Sequence, residues 1–165
     1  KKFFKREFNF NVELDFDIYN EIVPQDIIAV VENGKTRKPK IGAGIKSSKP
    51  KNAFLILGSN EMEIESRRSD VYIYCRPDIP DDHLLRITKN LIVALVKNKP
   101  HFSKYKDYMP DFKNITCEVA GFCKNEELRK VTEIPGQVFD GSRYVIESGI
   151  LHRSKKDWES LIKKF

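Results

Sequence analysis

A run of five apolar or aromatic side chains, Val71-Tyr-Ile-Tyr-Cys75, is closed by Asp70 and Arg76 and followed by Pro77 and Pro80. Its length is that of a strand, its residue types are strand formers, and the two prolines cannot continue a sheet ladder. Such a segment reads as a buried strand. The domain must therefore contain a sheet with other elements packed over it.

The segments around it extend this picture. Phe8, Phe10, Val12, Leu14, Phe16 and Ile18 alternate with polar residues, the period of a half-buried strand, so the chain is expected to open in strand conformation, with any preceding helix short or missing from the amino end. Ile27 to Val31 is a second strand, and Asn33-Gly34 after it favours the positive φ of a tight turn. Lys40 to Ser47 is expected to return as its hairpin partner, with Thr36, Arg37 and Lys38 in the loop. Ala53 to Leu57 ends at Gly58-Ser-Asn60, where Ser59 or Asn60 can cap a short helix carrying Glu61, Glu63 and Glu65.

After the prolines, Asp81 and Asp82 lead a helix whose Leu84, Leu85, Ile87, Leu91, Ile92, Leu95 and Val96 follow helical spacing. His101 to Asn114 reads as an irregular excursion; Tyr105, Tyr108 and Phe112 there interleave with Lys104, Lys106 and Lys113, a composition suited either to stacking on DNA or to covering a core. A strand over Ile115 to Cys123, a short helix over Asn125 to Val131, a strand over Tyr144 to Ile146 after an Asp140-Gly141 turn, and an amphipathic helix over Ser154 to Phe165 complete the expectation. With no repeat or linker in 165 residues, this order predicts one α/β domain, a mixed central sheet with flanking helices.

Composition narrows the function classes. Hydrophobic residues make up 40% of the chain, enough for a core, and the longest apolar run, Leu91 to Val96, is far too short to span a bilayer. A cytoplasmic location is expected. Cys75, Cys117 and Cys123 are odd in number and form no CxxC half-site, so they are expected to be buried thiols in a reducing compartment. The net charge of +6 is unevenly spread: Lys35 to Lys51 holds seven Lys or Arg and no acid, and Arg153 to Lys164 holds five against two acids. That layout admits a nucleic-acid partner. His83, His101 and His152 have neither metal-motif spacing nor an adjoining nucleophile, and Gly42-Ala-Gly44 lacks the pattern of a phosphate-binding loop.

Chemistry concentrates between positions 23 and 49. Asp26 stands at the entrance to one strand and Lys46 in the next, so a hairpin between them would bring both side chains to one edge of the sheet. A carboxylate there can hold a hard cation, and a nearby ammonium can stabilise a phosphate or orient a water.

Pro24-Gln25-Asp26 and Gly44-Ile45-Lys46 together resemble the paired motifs of the PD-(D/E)XK nucleases, in particular type II restriction endonucleases, with one residue inserted in the first motif. The resemblance continues through Lys49, Asn60-Glu61 and the strand Ser69 to Tyr74, over about half of the chain. It implies a restriction-endonuclease-like core and a magnesium-dependent hydrolase that cuts the phosphodiester bonds of double-stranded DNA. Asp26 would hold Mg2+ and Lys46 would act on the phosphate or water. Gly44 stands where the family carries its second acid. Some members move that carboxylate to the following helix, which makes Glu61, fifteen positions beyond Lys46, the preferred replacement and Glu63 the second. Arg37, Lys49 and Lys51 would contact the DNA backbone, and a palindromic target would imply a homodimer. The alternative is a DNA-binding or assembly module that kept the fold and lost catalysis with the acid; restoring an acid by Gly44→Glu would then create cutting.

Overall fold

The computed structural model describes residues 1–17, 19–32, 34–81 and 115–165. The helix expected from Asp82 to Val96, with His83, and the segment from His101 to Asn114 lie outside them, as do Ile18 and Asn33.

The amino end is a helix, α1 (Lys2–Phe8), where a strand was expected to be under way. Phe4 and Phe8 lie one helical turn apart, and Asn9, at φ 50°, ends the helix: its N–H donates to the Lys5 carbonyl and that of Phe10 to the Phe4 carbonyl. The period-two pattern therefore governs only β1 (Asn11–Leu14). At its far end Asp15 folds over its own backbone, accepting from Asp17 N–H at 2.9 Å and Tyr19 hydroxyl at 2.8 Å, which stops the strand and leaves Phe16 exposed.

β1 pairs antiparallel with β2 (Ile27–Glu32), and β2 turns through Gly34 into β3 (Lys35–Arg37). The hairpin partner is thus Lys-Thr-Arg, the segment expected to be loop. Pro39 follows, without an N–H to continue the ladder, and the chain crosses to a second sheet. There β4 (Ala43–Ser47) lies parallel to β6 (Val71–Pro77), with Gly44 opposite Tyr72 and Lys46 opposite Tyr74. β7 (Cys117–Lys124) pairs antiparallel on the other side of β6. The third sheet has the order β5-β9-β8, from β5 (Phe54–Gly58), β9 (Gln137–Glu147) and β8 (Arg129–Ile134). Only Asn125–Glu127 forms a helical turn where a longer helix was expected, and the residues from Arg129 on form β8. The turn before β9 is Pro135-Gly136, and Asp140-Gly141 lies inside the strand.

These nine strands form three sheets of three, an α/β arrangement in which the mixed sheet β4-β6-β7 occupies the middle. Side chains alternate across β6. Val71 and Ile73 join Val12, Ile27, Val30 and the aromatic cluster of the helices, while Tyr72 and Tyr74 join Leu55, Leu57 and Ile146 of the third sheet. Both faces of β6 are covered, as its unbroken apolar sequence requires. Gly121 permits a close approach in β7: at φ 148° a Cβ there would lie 2.7 Å from the His152 carbonyl oxygen, where Phe122 and His152 exchange backbone hydrogen bonds.

The chain closes with α3 (Lys155–Ile162), whose Trp158 and Leu161 are buried. Trp158 meets Phe3, Phe4 and Phe122 at ring-centroid distances of 4.8–5.7 Å. Ser154 caps α3 by accepting from Asp157 N–H at 3.1 Å, and Asp157 returns a bond to Ser154 N–H at 2.9 Å. Ser154→Ala is expected to cost about 1 kcal/mol in denaturant unfolding; an unchanged midpoint would show that α3 is held by its apolar face alone.

The cysteines divide. Burial pushes the Cys123 thiol up to about 12 and the half-buried Cys75 thiol up to about 11, whereas Cys117 is exposed. Only part of the expected buried set is buried. Among the described residues, no helix is long and apolar enough to cross a membrane.

Candidate functional site

β4 is an edge strand of the middle sheet, and the expected site residues gather on it by two routes. Asp26, just before β2, binds its free edge: Asp26 N–H donates to Ala43 carbonyl at 2.8 Å, and Ile45 N–H donates to Asp26 Oδ2 at 2.5 Å. The carboxylate thereby substitutes for a neighbouring strand. Asp26 does reach the strand of Lys46, through this edge contact and not across the expected hairpin.

Lys46 projects from β4 on the face shared with Gly44 and meets Glu61 of α2 (Ser59–Met62), with Nζ 2.7 Å from Oε1. Glu61 is 8% exposed, one of two buried polar residues among those described. Lys46 Nζ also stands 5.8 Å from the centroid of the Tyr72 ring. Tyr72 is fully buried, and its hydroxyl accepts from Ser69 N–H at 3.1 Å. Burial pushes the Tyr72 phenol up, the Ser69 bond opposes this, and the Glu61 charge adds to the rise. The phenol stays protonated beside the ion pair.

Position 44 leaves little room for a side chain. A Cβ on Gly44 would lie 2.7 Å from Ser69 Oγ and 3.1 Å from the Tyr72 ring. Glu61 reaches Lys46 from α2, a neighbouring element. Asp26 and Glu61 are thus anchored to consecutive residues of β4, Ile45 and Lys46. Each uses one oxygen in that contact.

The remaining expected residues lie elsewhere. Glu63 points to the third sheet, 2.6 Å from Lys130 Nζ and 3.4 Å from Tyr144 hydroxyl, and the Lys130 bond holds its carboxyl below the ordinary range. It does not join Glu61. Arg37 binds Glu32 at 3.0 Å and the carbonyl of Phe165, fastening β3 to the chain end. Lys49 pairs with Asp81 at 2.9 Å in open solvent, and Lys51 is exposed. Ser59 caps nothing; its hydroxyl binds the Ser142 carbonyl at 2.6 Å, so α2 is fixed to β9. Ser69 and Tyr72 were missed as members of the site, because their place opposite Gly44 depends on the parallel register of β4 and β6.

Among the described residues, no three His, Cys, Asp or Glu stand close enough together to hold a metal ion. No protein-family model, no curated protein and no solved structure matches the chain.

Proposed function

We propose that the chain is a magnesium-dependent endonuclease of double-stranded DNA, with Asp26, Lys46 and Glu61 as its catalytic residues and a restriction-endonuclease-like core. The observation that carries this reading is the Lys46–Glu61 pair beside a position where a side chain would crowd Ser69 and Tyr72. A carboxylate from α2 stands by the lysine in place of the one missing from β4, the arrangement implied by the resemblance.

The donor set suits the metal. Magnesium binds hard oxygen ligands and is commonly held by one or two carboxylates, with waters and substrate phosphate filling its other positions. Asp26 and Glu61 would hold the ion, which when bound polarises the phosphate and lowers the pKa of a coordinated water. Lys46, half-exposed, supplies positive charge to the phosphoryl oxygens as they gain negative charge, or orients the water. Tyr72 and Ser69 form the dry wall that keeps Lys46 and Glu61 in register. Lys49 and Lys51, on the loop after β4, would meet the DNA backbone, Lys49 by exchanging its exposed pair with Asp81 for a phosphate.

The test is incubation of the whole chain with supercoiled and linear duplex DNA, with Mg2+ and with chelator. Cleavage should require the metal and be lost in Asp26→Asn and Lys46→Ala. The asparagine variant keeps an acceptor for Ile45 N–H, so loss there reports on charge and not on the sheet edge. DNA binding without cleavage under Mg2+ or Mn2+ would overturn the enzyme reading in favour of a non-catalytic DNA-binding module.

A further inference from the structure

β9 pairs with β5 only from Arg143 to Glu147, so Gln137–Ser142 extends past β5 with β8 as its sole strand partner among the described residues. Within that extension the register jumps: Val131 faces Arg143, but Glu133 faces Val138, so Phe139–Ser142 stands opposite the single residue Thr132. This bulge, with Gly141 at φ 84°, bends the ribbon and aims its tip. Ser142 in the bulge is the residue bonded to Ser59, two positions before Glu61, and Lys130 at the ribbon's root is bonded to Glu63. The ribbon is therefore fastened to the same short helix that supplies Glu61.

The side chains differ along its length. Arg129, Lys130 and Arg143 stand at the root, whereas the tip carries Glu133, Ile134, Pro135, Gly136, Gln137 and Val138, without a cation. Val138 is 79% exposed. A surface that tracks phosphates is basic; one that reads base edges combines amides, carboxylates and apolar groups. Glutamine matches the adenine edge, carboxylates accept from the cytosine amino group, and an apolar side chain meets the thymine methyl. The major groove admits a two-stranded ribbon and is about 8.5 Å deep, and three residues of strand span about 10 Å.

We propose that the tip of the β8–β9 ribbon, through Glu133, Gln137 and Val138, enters the major groove of duplex DNA and reads its sequence while the root cations meet the flanking phosphates. This assignment rests on the DNA-directed reading above for its partner and not on the cleavage chemistry.

The test uses a random duplex library in two arms, selection by binding in chelator and selection by cleavage in Mg2+, for the wild-type chain and for Gln137→Ala and Val138→Ala. Both side chains are exposed, so circular dichroism and melting should match wild type. Each variant should relax the selected preference at one or two base positions by on the order of 10-fold, with the salt dependence of binding unchanged because no phosphate contact is lost. A preference kept by the variants overturns the ribbon assignment, as does a wild-type chain that enriches no sequence, or variants whose only change is in sedimentation, the mark of an interface between copies. A preference relaxed in the binding arm by a chain that never cuts supports the ribbon assignment and removes only the catalytic reading.

Discussion

Glu61→Gln should lower magnesium-dependent DNA cleavage by about 100-fold or more while the chain stays folded. Glutamine has the shape of glutamate and still offers an oxygen to Lys46 Nζ, now 2.7 Å from Oε1, so the packing against Tyr72 is kept and only the negative charge is removed. If the carboxylate holds the metal, that charge matters most at limiting magnesium, and the concentration giving half-maximal rate should rise. If the pair is instead only a structural bridge, the pattern reverses. Taking one charge from a mostly buried pair leaves the other unbalanced, so stability falls and the metal requirement does not move. Cleavage rate against magnesium concentration, measured beside thermal melting, separates the two. An unchanged magnesium dependence with a depressed melting temperature would remove Glu61 from the catalytic set.

How far the sequence discloses this architecture depends on where the deciding interaction lies. β6 and α3 are readable because their own patterns decide them: Val71 to Cys75 is apolar on both faces, and Trp158 and Leu161 share one side of a helix with Ser154 at its cap. β3 is not readable. Lys-Thr-Arg has no apolar residue, and it becomes a strand because β2 offers an open edge and Arg37 reaches Glu32 and Phe165. α1 is hidden for the opposite reason, since Phe8 and Phe10 fit the alternating pattern until Asn9 turns left-handed between them.

The same division runs through the site. Asp26 and Lys46 can be singled out as residue types on successive strands, and Glu61 only through what the family resemblance implies; the fold brings Asp26 to β4 through its edge and Glu61 to Lys46 through α2. Glu61 and Glu63 look equivalent in one dimension. Their separation comes from the end of a short helix: Glu61 lies inside α2, whereas Glu63 is its C-cap and faces Lys130 and Tyr144. The ribbon bulge is invisible for a related reason: Asp140-Gly141 is good turn chemistry, but the turn is made at Pro135-Gly136, and the surplus residues are absorbed within β9.

Gly44→Glu, the substitution that would restore an acid to β4, is expected to destabilise the chain by about 3 kcal/mol or more and to create no additional cleavage. Glycine here is set by what stands opposite. The parallel register puts Tyr72 across from position 44, and both Tyr72 and Ser69 are essentially without solvent exposure. The new Cβ would approach Ser69 Oγ to 2.7 Å and the ring to 3.1 Å, and the ring belongs to the buried cluster of Leu55, Leu57 and Ile146. The carboxylate would also enter the surroundings of Glu61, so a second negative charge would compete for Lys46 in a poorly solvated place. Gly44→Ala isolates the steric part: it adds the same Cβ without charge and should lose a fraction of that stability. If instead Gly44→Glu melts like wild type and cuts DNA when the unsubstituted chain does not, the acid is accommodated, Glu61 is not its replacement, and the non-catalytic module becomes the correct description of the natural chain.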